Sequence, residues 1–436
     1  MMSFIYLLLF FLLFHDANSE TLQVHIIAHS HCDPGWLDTF EQYYRRDVSR
    51  ILTGVTRALS SDRSKRFIWS EISFFMRWWN TQNEQVKRQF KTLVANGQLE
   101  FVGGGWVQND EANPTAEAVI NQVSQGHDYI QSLFGVRPHI GWQIDPFGHS
   151  ALTPSLWSLM GYDAMVINRI HYLTKKRYKS SKHMEFVWQG SRLSNHDELD
   201  TSMFTHVLHS HYSAPRGYDW EEPGVPRVSQ WNAASRGSSL AAKLKSRANA
   251  YRTKNLLVTF GDDFKFKNAA LQFQNMDLII KAINNNPGLG VSIRYSTLSE
   301  YFSAVHSESH RKNIKFPFHR GDFFPYADNG DSYWTGYYST RPTLKVSTLL
   351  LLLMLLLLLL LLLLLLLGFS GLLFHSVAIS CLFLLLHVFS PSPHVSIHRA
   401  LCVQSWSFPI FDAEITTYKT WIHMRGYIEK TYKIFI

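Results

Sequence analysis

Short apolar runs alternate along most of the chain with longer segments whose apolar positions recur at every third or fourth residue. The runs predict buried strands, and the periodic segments predict helices. Strands are predicted at 24–28, 66–71, 99–102, 138–144, 164–168, 186–188, 204–207, 255–259 and 291–295, helices at 37–59, 74–95, 115–134, 154–160, 240–251 and 269–284, and a loop at 213–237. This alternation predicts an α/β fold with a parallel sheet, although periodicity does not separate a closed barrel from an open sheet.

Polar residues stand at the carboxyl ends of several predicted strands. His31 and Asp33 follow the first strand, and two residues apart on an extended chain they point to the same side. Asp145 follows the strand at 138–144, and Asp262 and Asp263 follow the strand at 255–259. Parallel α/β folds carry their functional groups at this end of the strands. We therefore expect these side chains to share one pocket.

The residue types in this set favour a metal centre or a hydrolytic pair. An imidazole nitrogen beside carboxylate oxygens suits a divalent ion such as zinc. A lone His-x-Asp more often makes ordinary hydrogen bonds in a loop, but the repeated polar strand ends favour the metal site. Two carboxylates facing each other could cleave a glycosidic bond, one attacking the anomeric carbon and the other protonating the leaving oxygen. The same groups could serve a zinc amidohydrolase or deacetylase, so residue type leaves the substrate open.

Composition limits the partners of this 436-residue chain. Its 42 Lys and Arg exceed its 34 Asp and Glu, but the excess is diffuse, and the one dense basic cluster, at 175–179, is interpreted as a solvated loop. No basic stripe for nucleic acid is present. The 13 Trp suit either core packing or stacking on sugar rings. Of the three cysteines, Cys32 alone lies in the predicted globular part, so no disulfide framework is expected there.

Four segments are predicted from the composition. Residues 1–19 carry an apolar core followed by small and polar residues, which is typical of a secretory signal peptide. Residues 20–345 form the globular domain, and residues 390–436 are a tail without clear period. Residues 346–389 are leucine-rich, and Leu349–Leu367 is long enough to span a bilayer. A low-complexity tract is the favoured interpretation of this stretch, with a single-pass membrane anchor as the alternative, and the oligomeric state is left open.

Five motifs, in this order and spacing, resemble glycoside hydrolase family 38, the class II α-mannosidases. They are HSHCDPGW at 29–36, GGW at 104–106 with DEA at 110–112, IDPFGHS at 144–150, GDDF at 261–264, and DFFPY at 322–326 with YWTGY at 333–337. Segments 272–277 and 290–293 are similar to the epididymis-specific branch, which is close to the lysosomal enzymes. The resemblance covers roughly Val24 to Lys345.

The resemblance implies the N-terminal catalytic domain of a retaining α-mannosidase, built as a seven-stranded parallel β/α barrel with a zinc ion. Its substrate would be a mannose-containing glycan, with terminal α-mannosyl residues of glycoprotein N-glycans or free oligosaccharides as the cleaved groups. It implies His31 and Asp33 as zinc ligands, Asp145 as both ligand and nucleophile, and Asp263 as general acid/base. The residues it implies around the sugar are Trp36, Phe147, Arg169 and Asp262, for which core packing or structural ion pairing are the alternatives. The implied location is the secretory pathway, in the lysosome or outside the cell.

The chain departs from the family pattern after Lys345. The resemblance implies a fourth zinc ligand, a histidine further downstream, and no segment after Lys345 matches it. His375 and His387 lie in apolar tracts and are poor substitutes. We therefore expect three protein ligands and a weaker hold on the metal. The alternative function is a catalytically silent, truncated homologue that at most binds mannose-type glycans.

Overall fold

The computed structural model describes residues 20–191 and 201–341, together with Leu359. The predicted signal peptide, the leucine-rich stretch and the C-terminal tail lie outside these ranges, apart from Leu359. Within the described part of the chain, no helix has the length and apolar character needed to cross a membrane. The chain divides into two compact units at the Thr335–Gly336 junction. The described part of the second contains the short helix Gly336–Ser339, and all that follows concerns the first.

Ten strands are present in the first unit, within its described residues. They are β1 Leu22–Ala28, β2 Phe67–Trp69, β3 Leu99–Phe101, β4 Ile140–Gln143, β5 Ala164–Ile167, β6 Glu185–Gln189, β7 Ser202–Val207, β8 Asn255–Phe260, β9 Val291–Tyr295 and β10 Phe318–Arg320. The first nine coincide with the predicted strands to within a few residues. The short edge strand β10 was not predicted, since its sequence has no apolar run.

The strands form three hydrogen-bonded sheets, with the orders β8-β1-β9, β10-β6-β7-β5-β4 and β2-β3. All pairs are parallel except β6 with β7, which is antiparallel. The α/β class with a mostly parallel arrangement is therefore confirmed, whereas closure into a seven-stranded barrel is not. Strands β2 and β3 have three residues each. Beyond the end of β3, the Gly103 N–H donates a hydrogen bond to the Ile140 carbonyl of β4 (2.8 Å).

Helices connect most of the strands. They are Phe40–Tyr43, which continues through a π-helical turn at Tyr44–Val48 into Ser49–Ser61, then Ile72–Trp79, Glu84–Ala95, Ala116–Phe134, Leu152–Leu159, Tyr172–Ser181, Ala233–Ala248, Ala269–Asn284, a 3₁₀ turn at Pro287–Leu289, and Leu298–Lys312. Thr115 begins its helix as predicted, its side chain accepting from the Ala118 N–H, and Gly135 ends it in the left-handed conformation.

Four predictions about helices and loops need correction. The single helix predicted at 74–95 is two, because Asn83 caps the second by accepting from the Val86 N–H. The basic cluster at 175–179, interpreted as a loop, lies in a helix that begins after His171 and ends at left-handed Lys182. The predicted loop at 213–237 ends earlier, since the next helix begins at Ala233. The helix Leu298–Lys312 was missed, although Thr297 and a glutamate three residues on form a capping box.

Strand β1 lies at the centre of the sheet that organises the site. Six of its seven residues are buried, and every residue of its neighbour β8 is buried. Strands covered on both faces show continuous apolar runs rather than alternation, which is why the sequence predicted them so directly. Each buried aliphatic side chain contributes roughly 1.5–3 kcal/mol. The residues immediately after β1 therefore start from a rigid anchor.

Candidate active site

Three side chains that can bind a metal converge just after β1. Nε2 of His31 lies 3.2 Å from Oδ1 of Asp33 and 3.4 Å from Oδ2 of Asp145. One ligand atom from each residue lies within 4.8 Å of the others, and no other such cluster was found among the described residues. One imidazole nitrogen with two carboxylate oxygens is a donor set that suits zinc. The residues present therefore fit a divalent ion.

Local backbone structure brings these ligands to one point. After β1 the chain turns at Gly35, whose φ of 120° favours glycine and whose N–H donates to the Asp33 carbonyl (2.7 Å). On the other side, the N–H groups of Ile144 and Asp145 both donate to Oε1 of Gln108 (3.2 Å each). Gln108, from the loop after β3, thus fixes the direction in which Asp145 leaves β4.

Asp145 is held as an anion. Its Oδ1 accepts hydrogen bonds from Nε and Nη2 of Arg169 (2.9 and 2.5 Å) and from the Tyr212 hydroxyl (3.2 Å). Burial by itself raises the pKa of Asp145, but the hydrogen bond and charge of His31, followed by Arg169, outweigh burial and lower the pKa to about 2. Asp145 is therefore ionised at neutral and mildly acidic pH.

Asp263 has the opposite electrostatic setting. Burial raises its pKa, and the neighbouring Asp262 charge adds to this effect, while His31 and the hydrogen bond from Tyr212 oppose it. The Tyr212 hydroxyl lies 2.8 Å from Oδ1 of Asp263 and 3.2 Å from Oδ1 of Asp145, so the two carboxylates share its single proton. Two carboxylates whose surroundings move their pKa values apart are typical of an acid/base pair.

Arg169 and Phe147 lie on the same side of the site. The Arg169 guanidinium carbon is 5.3 Å from the centre of the Phe147 ring and 4.9 Å from that of Trp334. The two rings meet edge to face at 4.9 Å. This aromatic support orients the guanidinium towards Asp145. Arg169 thus pairs with the Asp145 carboxylate, and its predicted place beside the sugar stays a prediction.

Trp36 and Asp262 have different surroundings. Trp36 is 68% exposed, so it is free to contact a ligand and does not pack in the core, which was the alternative considered for it. Oδ1 of Asp262 accepts the N–H of Asp263 (2.9 Å), and its carbonyl accepts the N–H of His31 (3.2 Å). Asp262 therefore stabilises the turn after β8, and its predicted contact with substrate stays a prediction.

Glu111, from the DEA motif, supports the loop that carries Asp145. Its buried carboxylate accepts hydrogen bonds from Nδ1 of His149 (2.9 Å), the N–H of Ser150 (2.8 Å) and Oγ1 of Thr153 (2.5 Å). All three donors follow β4 in the chain. The motif thus contributes to the site by anchoring the segment beyond Asp145.

Tyr212 was missed by the sequence analysis. It is 1% exposed, and its carbonyl accepts a hydrogen bond from Nε2 of His29 (2.9 Å), which binds the loop after β7 to the end of β1. His211, its neighbour, lies 3.3 Å from Nη2 of Arg169. The sequence does contain a feature that indicates Tyr212, because this residue follows a predicted strand at the same end as the other site residues.

Comparisons with known proteins identify the family of the chain. The family description "Glycosyl hydrolases family 38 N-terminal domain" matches residues 21–329. Alpha-mannosidase F of Dictyostelium discoideum is 38% identical over 359 residues, covering 79% of this chain and 35% of that relative. Alpha-mannosidase 2 of Drosophila melanogaster is 38% identical over 346 residues, with 74% and 31% covered. Lysosomal alpha-mannosidase of Dictyostelium discoideum is 38% identical over 342 residues, with 75% and 33% covered.

The chain spans about a third of the length of these relatives. Among solved structures, an alpha-mannosidase from Enterococcus faecalis V583 superposes with a TM-score of 0.54 at 18% identity, covering 69% of this chain and 31% of the other. At that identity the superposition supports the fold alone. Family membership is shown by the matched domain and the sequence relatives.

Proposed function

The chain belongs to glycosyl hydrolase family 38, and from that membership we propose that residues 20–345 are the catalytic domain of a zinc-dependent, retaining α-mannosidase. One observation carries the proposal. The Tyr212 hydroxyl is shared by Asp145, which is held ionised, and Asp263, whose pKa is raised, beside the His31 and Asp33 ligands. This arrangement supports two-carboxylate glycosidase chemistry next to a metal.

His31, Asp33 and Asp145 are the residues that would hold zinc. When bound, zinc supplies a Lewis acid that can hold sugar hydroxyls and stabilise distortion of the ring. The convergence of their three ligand atoms within 4.8 Å supports this assignment. The low pKa of Asp145 supports it too, because only the carboxylate form binds a cation.

In the proposed reaction, Asp145 attacks the anomeric carbon while Asp263 protonates the leaving oxygen. Asp263 then removes a proton from water, whose oxygen bonds to the anomeric carbon as the bond to Asp145 breaks, and two inversions restore the original configuration. The Tyr212 hydroxyl lies 3.2 Å from Oδ1 of Asp145 and 2.8 Å from Oδ1 of Asp263, so these two oxygens are at most about 6 Å apart, which is below the spacing of roughly 6.5–9.5 Å in inverting enzymes. Retention is therefore the stereochemical outcome we propose.

The proposed substrate is a terminal α-mannosyl residue of an N-glycan or a free oligosaccharide. Exposed Trp36 and the Phe147 ring offer apolar faces for the sugar, and Arg169 and Asp262 are the proposed polar neighbours. The names of the relatives support mannose as the sugar. A lysosomal relative supports a route through the secretory pathway, with residues 1–19 as the proposed signal peptide.

Hydrolysis of a chromogenic aryl α-mannoside by the full chain, with zinc added, tests the proposal. Aryl β-mannoside and aryl α-glucoside are the controls, and we expect release from the α-mannoside alone. The first sugar formed, followed by NMR, should be the α anomer, whereas β anomer would contradict retention. Zinc binding without turnover would instead support the silent, glycan-binding homologue.

A further inference from the structure

A second buried carboxylate faces His31 from the side opposite the proposed metal position. Glu71 is 1% exposed, and its Oε1 lies 3.7 Å from Nδ1 of His31. Neither Glu71 oxygen has a side-chain hydrogen-bond partner, and neither has Nδ1 of His31, while the backbone N–H groups of Glu71 and Cys32 face the carboxylate. A buried carboxylate without a side-chain partner is costly, so a functional reason for its presence is expected.

Local structure does not supply that reason. Glu71 occupies the N-cap position of the helix Ile72–Trp79, where an acidic side chain usually accepts the first free N–H groups, yet its side chain makes no such bond. The N–H groups of Ile72 and Ser73 instead donate to the carbonyls of Gly105 and Trp106 (3.1 and 3.0 Å). The loop after β3 thus caps this helix and leaves the Glu71 carboxylate free to point at His31.

The two nitrogens of the His31 ring have separate neighbours. Nε2 faces Asp33 and Asp145, while Nδ1 faces Glu71. A neutral imidazole binds a metal through its unprotonated nitrogen and carries its remaining proton on the other one. A carboxylate beside that second nitrogen fixes the tautomer and the ring orientation. Glu71 lies outside the converging ligand set itself.

We propose that Glu71 is the positioning residue of the metal centre, and that its carboxylate keeps the His31 proton on Nδ1 so that Nε2 is presented to the ion. This inference rests on the proposed metal site, and it adds a residue to it that donates no ligand atom.

Zinc affinity of the full chain and of Glu71→Gln tests the inference, measured by competition with a chromogenic chelator. Gln keeps the size of the side chain and removes its charge. The matched control is Glu185→Gln, since Glu185 is also 1% exposed and pairs with Nδ1 of another buried histidine, His206 (3.1 Å). We expect Glu71→Gln to weaken zinc binding about 10- to 100-fold, and Glu185→Gln to leave it unchanged.

Thermal unfolding with zinc and with chelator separates positioning from a purely structural role. Zinc that binds only the folded chain raises the midpoint by an amount that depends on its affinity. We expect this zinc-dependent rise to shrink in Glu71→Gln and to persist in Glu185→Gln, even where that control lowers both midpoints. A structural role would lower both midpoints of Glu71→Gln equally and keep the rise.

The outcomes distinguish the inference from the proposed function. Equal zinc affinity in the unsubstituted chain and in Glu71→Gln would overturn the role of Glu71 and leave the metal site standing. Absence of zinc binding by the unsubstituted chain would overturn both. If Glu71→Gln does not fold, Glu71→Asp replaces it in the test. This variant keeps the charge but moves it away from His31, so we expect a smaller loss of zinc affinity. An undiminished zinc affinity of Glu71→Asp would count against the inference.

Discussion

His31 and Asp263 form a parallel β-bridge beyond the ends of β1 and β8. The His31 N–H donates to the Asp262 carbonyl (3.2 Å), and the His31 carbonyl accepts from the Phe264 N–H (2.8 Å). The proposed metal ligand and the proposed acid/base are therefore held side by side by backbone bonds that extend a buried sheet. This gives the site a rigidity that a pair of free loops would not provide.

Asp145→Asn should abolish turnover of an aryl α-mannoside. An amide in place of the carboxylate does not form the sugar ester and binds a cation poorly, whereas its size and shape preserve the packing. We expect no detectable release of the aryl group, together with an unchanged circular dichroism spectrum. Asp128→Asn, a change at an exposed helix position, is the control and should retain full activity. Near-normal turnover by Asp145→Asn would remove this residue from the mechanism.

Tyr212→Phe should lower kcat by roughly 10²-fold, because the hydroxyl positions both proposed catalytic carboxylates and a small misplacement of reacting groups can cost that much. The change removes the hydroxyl that lies between Asp145 and Asp263 and keeps the buried ring. Tyr162→Phe is the matched control, because the Tyr162 hydroxyl is also buried but bonds to His127, away from the site. The control should lower the thermal midpoint and leave kcat intact; equal kcat values for both variants would contradict the role given to Tyr212.

Arg169→Met should move the acidic limb of the kcat/KM profile to higher pH. Arg169 helps to lower the pKa of Asp145, so its removal raises that pKa, and a larger share of Asp145 is protonated at a given acidic pH. Since the pKa of Asp145 is about 2, the profile is measured from pH 2 to 8, with Arg137→Met, at an exposed ion pair, as the control. A limb that stays in place, or moves to lower pH, would show that Arg169 does not act on the ionisation of Asp145.

His25 should make the domain less stable as the pH falls from about 6.5 to about 4. Burial lowers the pKa of His25 from 6.5 to about 4, against the hydrogen bond to Asn255. Between these two values the unfolded chain binds a proton that the folded chain does not. The free energy of unfolding therefore decreases as the pH is lowered, by roughly 3 kcal/mol over the whole interval. In urea unfolding, His25→Gln should show a flatter pH dependence than the unsubstituted chain. Parallel curves would refute this.

Gly126→Ala should destabilise the domain although alanine favours helices. The substitution gains up to about 1 kcal/mol in helix propensity. A Cβ at position 126 would, however, lie 2.0 Å from the Gly104 carbonyl oxygen, and that contact is with backbone. Overpacking of this kind costs typically 1–3 kcal/mol or more. We expect the free energy of unfolding, measured in urea, to decrease by about 1–2 kcal/mol. Gly135→Ala is not a suitable control, because the φ of Gly135 is 69° and alanine would be strained there.

A control for the close approach at Gly126 is Ser132→Ala, further along the same helix on its exposed side. The substitution increases helix propensity, and the exposed alanine does not clash with another part of the chain. The free energy of unfolding should therefore stay unchanged or rise slightly. A stability of Gly126→Ala equal to or above that of the unsubstituted chain would mean that the loop at Gly104 yields easily.

The sequence by itself determined the α/β class, the nine main strands and the family. Buried parallel strands need continuous apolar runs, so the pattern of β1 and β8 follows from their position in the sheet. The polar strand ends could likewise be found from the chain alone, because parallel strands bring their carboxyl ends to one edge. That rule predicts that His31, Asp33 and Asp145 lie together.

Only the tertiary structure decided which side chains meet. The Tyr212 hydroxyl bonds Asp145 across 67 positions of sequence, and Glu71 faces His31 because another loop caps its helix. It also decided that the strands form three separate sheets rather than a continuous hydrogen-bonded ring. The physical reason is that periodicity records whether a residue is buried, whereas a hydrogen bond depends on which strand lies beside which, and no local pattern of the chain encodes that neighbour.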